Sequence, residues 1–516
     1  MNIRKRHALQ GLALVATLGL AAGCGDSGAG LDAAGGEGGG VGIGQGGAQD
    51  FGQFRAILDA GGIPGPETLD AVGFFNEHKL ELPSADCGAE VCVHGELGVM
   101  GNMINGSNCT LVMLGMNTAV DPSTLERPPL NLAIAVDTSG SMQGEPIAYV
   151  REGLFRMLDD LQPDDRVTLV TFSNDASVAV EHVAGDDAEL TIAISNLAAN
   201  GQTNIYDGLR HAYDAVERNR AEGSQNRVIL LSDGMATTGI TSSAKLIDMS
   251  AEYNTAGYGL STIGMGTEFD PALMRQLSEQ GSGAFYFLED PAAVQEVFEE
   301  EVQTFLVPLA QDVVIDFAVD PGYALRAIYG TKNAEIWGNH GHIAIPSLQI
   351  AHRTSVDDNE GGRRGGGGAI IAELVPRNAE QTAEAGPVGV LSMTYDVPGG
   401  DESRSQEFPI LNPLRPGETP VEGMFSFAGV EKAFVMLNLF AGFEMAANRA
   451  SYGDYNGALG VLGPLGEAVE GWLQTNPDAD IEDDLRYIGK FIANLEAAGG
   501  GFPPPEQNPP EPWPQD

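Results

Sequence analysis

Between residues 130 and 305 the apolar positions follow two alternating rhythms. Short unbroken apolar runs, the mark of strands buried on both faces, give way to stretches in which apolar residues recur every three or four positions. Leu130–Asp137 is the first such run. Glu145 to Leu161 then reads as a helix with Ile147, Val150, Leu154, Met157, Leu158 and Leu161 on one face. The same spacing predicts strands at 165–174, 178–183, 227–234, 260–266 and 284–288, and helices at 188–197, 205–220, 243–256, 271–280 and 291–305. Strands alternating with amphipathic helices over about 180 residues specify a doubly wound, mostly parallel sheet.

The rhythm changes on either side. From Ala310 the helical spacing stops, and apolar segments near 313–319, 325–329, 341–345, 369–374 and 388–395 read as short strands of a β-sandwich-like module, with a disordered loop near 357–368. From about Phe427 helical spacing returns, and Glu431, Lys432 and Glu444 in the first of these helices argue against a membrane span. Ahead of the α/β region, 51–58 and 67–79 read as helices separated by Gly62-Ile-Pro-Gly-Pro. The expected organisation is a multidomain α/β chain. It comprises an N-terminal module with cysteines at 50–127, an α/β domain at 128–308, a β-rich module at 309–425, helices at 426–499 and a Pro-rich tail at 500–516.

Charge narrows the function. With 72 Asp and Glu against 27 Lys and Arg, the formal charge is −45, which argues against nucleic acid as a partner. The amino terminus is a processing signal: Arg4-Lys5-Arg6-His7, then an apolar stretch from Ala8 to Leu20. It ends in Leu20-Ala-Ala-Gly-Cys24, which resembles the lipobox of bacterial lipoprotein precursors. The resemblance implies removal of residues 1–23, lipidation of Cys24, and a place in the cell envelope, periplasmic or at the cell surface. An ordinary secretory signal with Cys24 as a bystander is the alternative. Residues 24–49, nearly all Gly, Ala, Ser and Asp, read as a flexible tether. Outside the cytoplasm, Cys87, Cys92 and Cys109 imply one disulfide and one thiol. Spacing does not choose the pair, and Cys87–Cys92 is the working assignment.

The chemistry gathers at strand ends. Asp137, Ser139 and Ser141 follow the first strand, Thr203 stands in a glycine-bearing loop before a helix, and Asp233 ends the strand at 227–234. All are oxygen donors, suited to a hard divalent cation. This Asp-x-Ser-x-Ser, Thr and Asp set resembles the metal-ion-dependent adhesion site of von Willebrand factor type A (VWA) domains. The resemblance implies a bound Mg²⁺, with Ca²⁺ or Mn²⁺ as alternatives. Ser139 and Ser141 would be direct ligands, Thr203 direct or through water, the aspartates largely through water, and one position would be left for an acidic residue of a protein partner. Phe54-Arg-Ala-Ile-Leu-Asp-Ala-Gly-Gly-Ile-Pro, Phe74-Phe-Asn and Phe305-Leu-Val-Pro-Leu-Ala-Gln-Asp-Val also resemble a group of bacterial VWA lipoproteins.

Enzymatic readings fare poorly. No Gly-x-Ser-x-Gly elbow accompanies the serines, and no Gly-x-x-x-x-Gly-Lys-Ser/Thr loop is present. His340-Gly-His342 reads as strand alternation rather than a metal-site fragment. The expectation is a non-enzymatic, membrane-tethered binding protein. The rival is a structural or assembly lipoprotein whose metal only stabilises its own loops.

Overall fold

The computed structural model describes residues 41–45, 51–120, 128–221, 223–233, 235–265, 270–288, 294, 297–298, 308–331, 334–350, 369–377, 386–398 and 402–502. Cys24 and the signal peptide, most of the tether, most of the helix expected at 291–305, the loop at 357–368 and the tail past 502 lie outside the described residues.

In chain order, β1 (Val41–Gln45) precedes two short helices, α1 (Gly52–Asp59) and α2 (Ala71–Asn76), then two long strands, β2 (Cys92–Gly101) and β3 (Asn108–Thr118). A second sheet follows: β4 (Leu130–Asp137), β5 (Arg166–Phe172), β6 (Ala176–Val183), β7 (Gln225–Ser232), β8 (Gly259–Met265) and β9 (Ser282–Leu288). Between these strands run α3 (Glu145–Asp159), α4 (Ala188–Ser195), α5 (Ile205–Arg218), α6 (Ser243–Thr255) and α7 (Pro271–Gln280). The strand order is β6-β5-β4-β7-β8-β9, parallel throughout except for the β5–β6 pair. This is the doubly wound sheet that the alternating pattern specifies. Leu132, Ile134 and Val136 of β4 join the core under α3 and α4, while Ala133 and Ala135 join the core under α5. Because the strand order reverses at β4, its carboxyl end opens onto the crevice where open α/β sheets bind ligands.

After this domain come β10 (Pro308–Val319), β11 (Tyr323–Tyr329), β12 (Ala334–Trp337), β13 (His340–Ile350), β14 (Ile370–Pro376), β15 (Gly386–Asp396), β16 (Ser403–Asn412) and β17 (Met424–Phe425). Three helices close the described chain: α8 (Ala428–Ser451), α9 (Tyr455–Leu473) and α10 (Ala479–Ala497). One antiparallel layer runs β11-β14-β3-β2-β17 and the other runs β13-β10-β15-β16, with β12 beside β13. Residues from both layers share one core, including Val112 and Leu114 of β3 with Ile315 and Phe317 of β10. The alternate residues Cys109, Leu111 and Met113 of β3 join a second core with α1, α2 and the C-terminal helices. Strand periodicity therefore sends β3 into two cores at once, and it is buried on both faces.

Three expectations need correcting. The N-terminal stretch 50–127 is not a module of its own: its strands complete the sandwich built by 308–425, and its helices pack with 428–497. The α/β domain is thus inserted between β3 and β10. Secondly, the tether is not unstructured throughout, because Val41–Gln45 pairs antiparallel with both β13 and β3, satisfying its backbone on two sides and burying Ile43. Finally, β2, β3, β12 and β16 are strands that hydrophobic spacing missed. In β2 the pattern is interrupted by glycines needed for close approach; a Cβ at Gly98 would stand 2.9 Å from Val430 of α8.

Among the described residues no helix is long and apolar enough to cross a membrane. α8 buries Lys432 against Asp478 and Asp480 of the following segment, at 2.7 and 3.0 Å. The α/β domain is joined to the N-terminal helices by Arg275 of α7, which donates to the Glu67 carbonyl at 3.0 Å and stands 3.7 Å from the buried Asp70 carboxylate.

The helix following Thr203 is seated by a glycine. A Cβ at Gly208 would fall 2.4 Å from the buried Phe172 ring of β5. Gly208→Ala should therefore lower stability by about 1–3 kcal/mol, the usual cost of overpacking, in chemical denaturation; an unchanged midpoint would show that α5 can shift freely.

Candidate metal centre

β4 delivers Asp137 to the crevice, and the chain turns at once. Asp137 is fully buried; its Oδ1 accepts from the Ser139 amide at 2.8 Å and its Oδ2 from the Ser232 hydroxyl at 2.5 Å. The first bond folds the Asp-x-Ser turn back onto its own carboxylate, while the second ties β4 to the end of β7. Ser139 and Ser141 hydroxyls lie 3.0 Å apart, and Ser141 donates to Asp233 Oδ1 at 2.9 Å. Four of the five expected residues therefore stand in one hydrogen-bonded cluster.

Thr203 is placed by its loop. Gly201, with φ +91°, adopts a backbone conformation that a side chain would strain, and its carbonyl accepts from the Gly140 amide at 3.0 Å. Asn200 N donates to the Thr138 carbonyl at 2.6 Å. On its other side, Thr203 N donates to the Thr237 hydroxyl at 2.9 Å and the Thr203 carbonyl accepts from the Thr237 and Thr238 amides. The loop is thus stitched to both the Asp137 turn and the segment after Asp233. Thr203 is buried, and among the described residues its hydroxyl makes no hydrogen bond. Asn204 follows as the cap of α5, accepting from the Asp207 amide at 3.2 Å.

The electrostatics are unusual for a structural cluster. Burial pushes the Asp137 carboxyl up to about 6, against opposing bonds from Ser232 and Ser139, and the nearby Asp233 charge adds to the rise. Asp233 is pushed up by burial as well, with the Ser141 hydroxyl opposing. Among the described residues no Lys, Arg or His pairs with either carboxylate. Two buried acids, each accepting from a different serine hydroxyl and with no cationic side chain among the described residues, suit a hard divalent cation, whose charge would relieve both. No ready-made cage of three His, Cys, Asp or Glu exists among the described residues, so any ion held here must draw on hydroxyls.

Sequence reasoning missed two supporting residues. Ser232, directly before Asp233, was legible as a strand-end hydroxyl beside an acid. Thr237 gave no local signal, since only the folded loop brings it to Thr203. Asp207, in the first turn of α5, accepts from the Ala176 amide and pairs with Arg210 at 2.7 Å. Cys87 and Cys92 are joined by a disulfide, and Cys109 is a buried thiol. Burial raises its pKa well above the ordinary thiol range.

Residues 131–300 match the family model of the von Willebrand factor type A domain, and this segment is a VWA domain. An uncharacterized protein of Escherichia coli K12, YfbK, is 29% identical over 407 residues, covering 74% of this chain and 64% of that protein. Human inter-alpha-trypsin inhibitor heavy chain H4 is 32% identical over 171 residues, 31% of this chain and 18% of the heavy chain. The chain thus spans less than two thirds of either relative. Among solved structures, a von Willebrand factor type A protein from Catenulispora acidiphila is 14% identical, with a TM-score of 0.49 over 75% of this chain and 88% of that one.

An acid whose pKa is raised by folding favours the fold when protonated and weakens it once ionised. Without metal, Asp137 alone should cost the protein on the order of 3 kcal/mol as pH rises from about 4 to above 6. In chelator at pH 7.5, Asp137→Asn should melt at least as high as the parent. Added Mg²⁺ should raise the melting temperature of the parent and leave that of the variant unmoved; equal Mg²⁺ shifts would contradict the assignment.

Proposed function

We propose that the chain is a divalent-cation-dependent protein-binding module, anchored in the bacterial cell envelope through Cys24, and that Asp137, Ser139, Ser141, Thr203 and Asp233 hold the cation. The observation that carries this reading is the pair of buried carboxylates, Asp137 and Asp233, bridged by serine hydroxyls and lacking a cationic side chain among the described residues. Ser139 and Ser141 present hydroxyls to the ion. Asp137 and Asp233 supply charge and orient those hydroxyls, and Thr203 adds an oxygen from the facing loop. Mg²⁺, with its preference for about six oxygens and its tolerance of retained waters, supplies Lewis acidity toward an incoming carboxylate. The partner contributes that carboxylate. VWA domains typically mediate protein–protein interactions, which agrees with this use.

The rival, in which the ion only fixes the loops, has less support. Gly140, Gly201, Thr203, Thr237 and Thr238 already hold the three loops together by backbone and hydroxyl hydrogen bonds.

Two measurements test the proposal. Envelope proteins retained on the immobilised chain in Mg²⁺ should be released by EDTA and should not be retained by Asp137→Ala; retention indifferent to both would favour a metal-independent assembly role. In fractionated cells, Cys24→Ser should move the protein from the membrane to the soluble fraction. Continued membrane association of that variant would dismiss the lipid anchor.

A further inference from the structure

The outward face of the sandwich carries a second constellation, far in sequence from the VWA site. His340 and His342 are two apart on β13 and so project from the same side of the sheet. Their inward neighbours, Ile343 and Ile345, sit in the sandwich core. The register places Asp316 of β10 directly beside His342 on one flank and Glu335 of β12 directly beside it on the other. Trp337 of β12 is paired with His340 in the same way. Directly paired residues share a face. Two imidazoles, two carboxylates and an indole are therefore gathered on one patch of five residues.

The side chains converge. His340 Nε2 stands 3.0 Å from Asp316 Oδ1, and His342 Nδ1 stands 2.8 Å from the same oxygen. The Trp337 ring lies over both imidazoles, with centroids 5.3 and 5.6 Å away. Each of the three groups is about a third exposed, open to solvent on one side. The other carboxylate oxygen, Asp316 Oδ2, makes no hydrogen bond among the described residues.

We propose that His340, His342 and Asp316 form a binding site for a borderline transition-metal ion, Zn²⁺ or its competitors Cu²⁺ and Ni²⁺, with Glu335 placed to supply a fourth donor. As the structure stands, the three groups close on each other through hydrogen bonds and do not form an open cage. To take a metal, each neutral imidazole would present the nitrogen now facing Asp316, Nε2 of His340 and Nδ1 of His342, as a lone-pair donor and carry its proton on the other ring nitrogen. A tetrahedral Zn²⁺ with N and O donors at about 2.0–2.1 Å sets them roughly 3.3 Å apart, so each of the two nitrogen–oxygen separations, 3.0 and 2.8 Å, would open by a few tenths of an ångström. Imidazole nitrogens select Zn²⁺, Cu²⁺ or Ni²⁺ over Mg²⁺, so this site differs in kind from the all-oxygen centre of the VWA domain. A chain of formal charge −45 also draws cations to its surface. Strand alternation, which explains the His-x-His spacing, is the device that brings both rings to one face, and the register of two neighbouring strands brings the acids.

The test uses the full chain with Mg²⁺ in excess, titrated with ZnCl₂ by calorimetry, and then with CuCl₂ while Trp emission is followed. The wild-type protein should take up a zinc equivalent that survives Asp137→Ala and is lost in the His340→Ala/His342→Ala double variant. Asp316→Asn should weaken it. Copper should quench a share of the emission that disappears in Trp337→Phe, while zinc uptake by that variant remains. The sandwich positions are a third to a half exposed, and an unchanged circular dichroism spectrum and melting temperature check that their variants fold. Zinc uptake unaltered by the double variant, or no uptake beyond that abolished by Asp137→Ala, would overturn the proposal.

Discussion

The α/β domain is organised around two carboxylates that the fold forces out of water without giving either a cationic side chain among the described residues. Asp137 ends the central strand and Asp233 follows the next one, so a parallel sheet with β4 and β7 adjacent places both in one crevice. Burial pushes both upward, Asp137 to about 6, and the hydroxyls of Ser139, Ser141 and Ser232 offset only part of that. A protein could avoid this strain by carrying asparagine or leucine at these positions. Keeping the acids makes sense if a divalent ion, as proposed, offsets their charge with the serine and threonine hydroxyls as further donors.

The surrounding architecture holds that crevice still. Thr203 reaches it because Gly201 turns the loop, Asn204 caps α5, and Gly208 lets α5 sit against Phe172. The domain itself interrupts a β-sandwich: the chain leaves one layer at β3 and returns in the other at β10. Helices from both ends of the chain then cover the outer face of the first layer. Arg275 links this assembly to the VWA domain through the carbonyls of Glu67 and Thr68.

How much of this was legible in the sequence varies with contact range. The alternation of buried runs and amphipathic stretches from Leu130 to Leu288 specified the doubly wound sheet, because each strand and helix there announces itself by local periodicity. The expected site residues were legible for the same reason: each sits at the end of an element whose type was clear. The interleaving of β2 and β3 with β10–β17 was not legible. Those strands are flanked by distant partners on both faces, and glycines such as Gly98, required where α8 approaches, erase the alternation. Nor could the strand at Val41–Gln45 be read, since its stability comes from β3 and β13 rather than from its own glycine-rich residues. Thr237 and the grouping of Asp316 with His340 and His342 depend on register, which only the folded sheet supplies.

Whether the acid-and-hydroxyl cluster is a metal centre is decided most directly by anomalous diffraction from crystals grown with Mn²⁺. The account predicts a strong peak at about 2.0–2.2 Å, an oxygen-ligand distance for such ions, from the Ser139 and Ser141 hydroxyls, beside Asp137, Asp233 and Thr203, and absent from Asp137→Ala crystals. No peak in that crevice at saturating Mn²⁺ would contradict it.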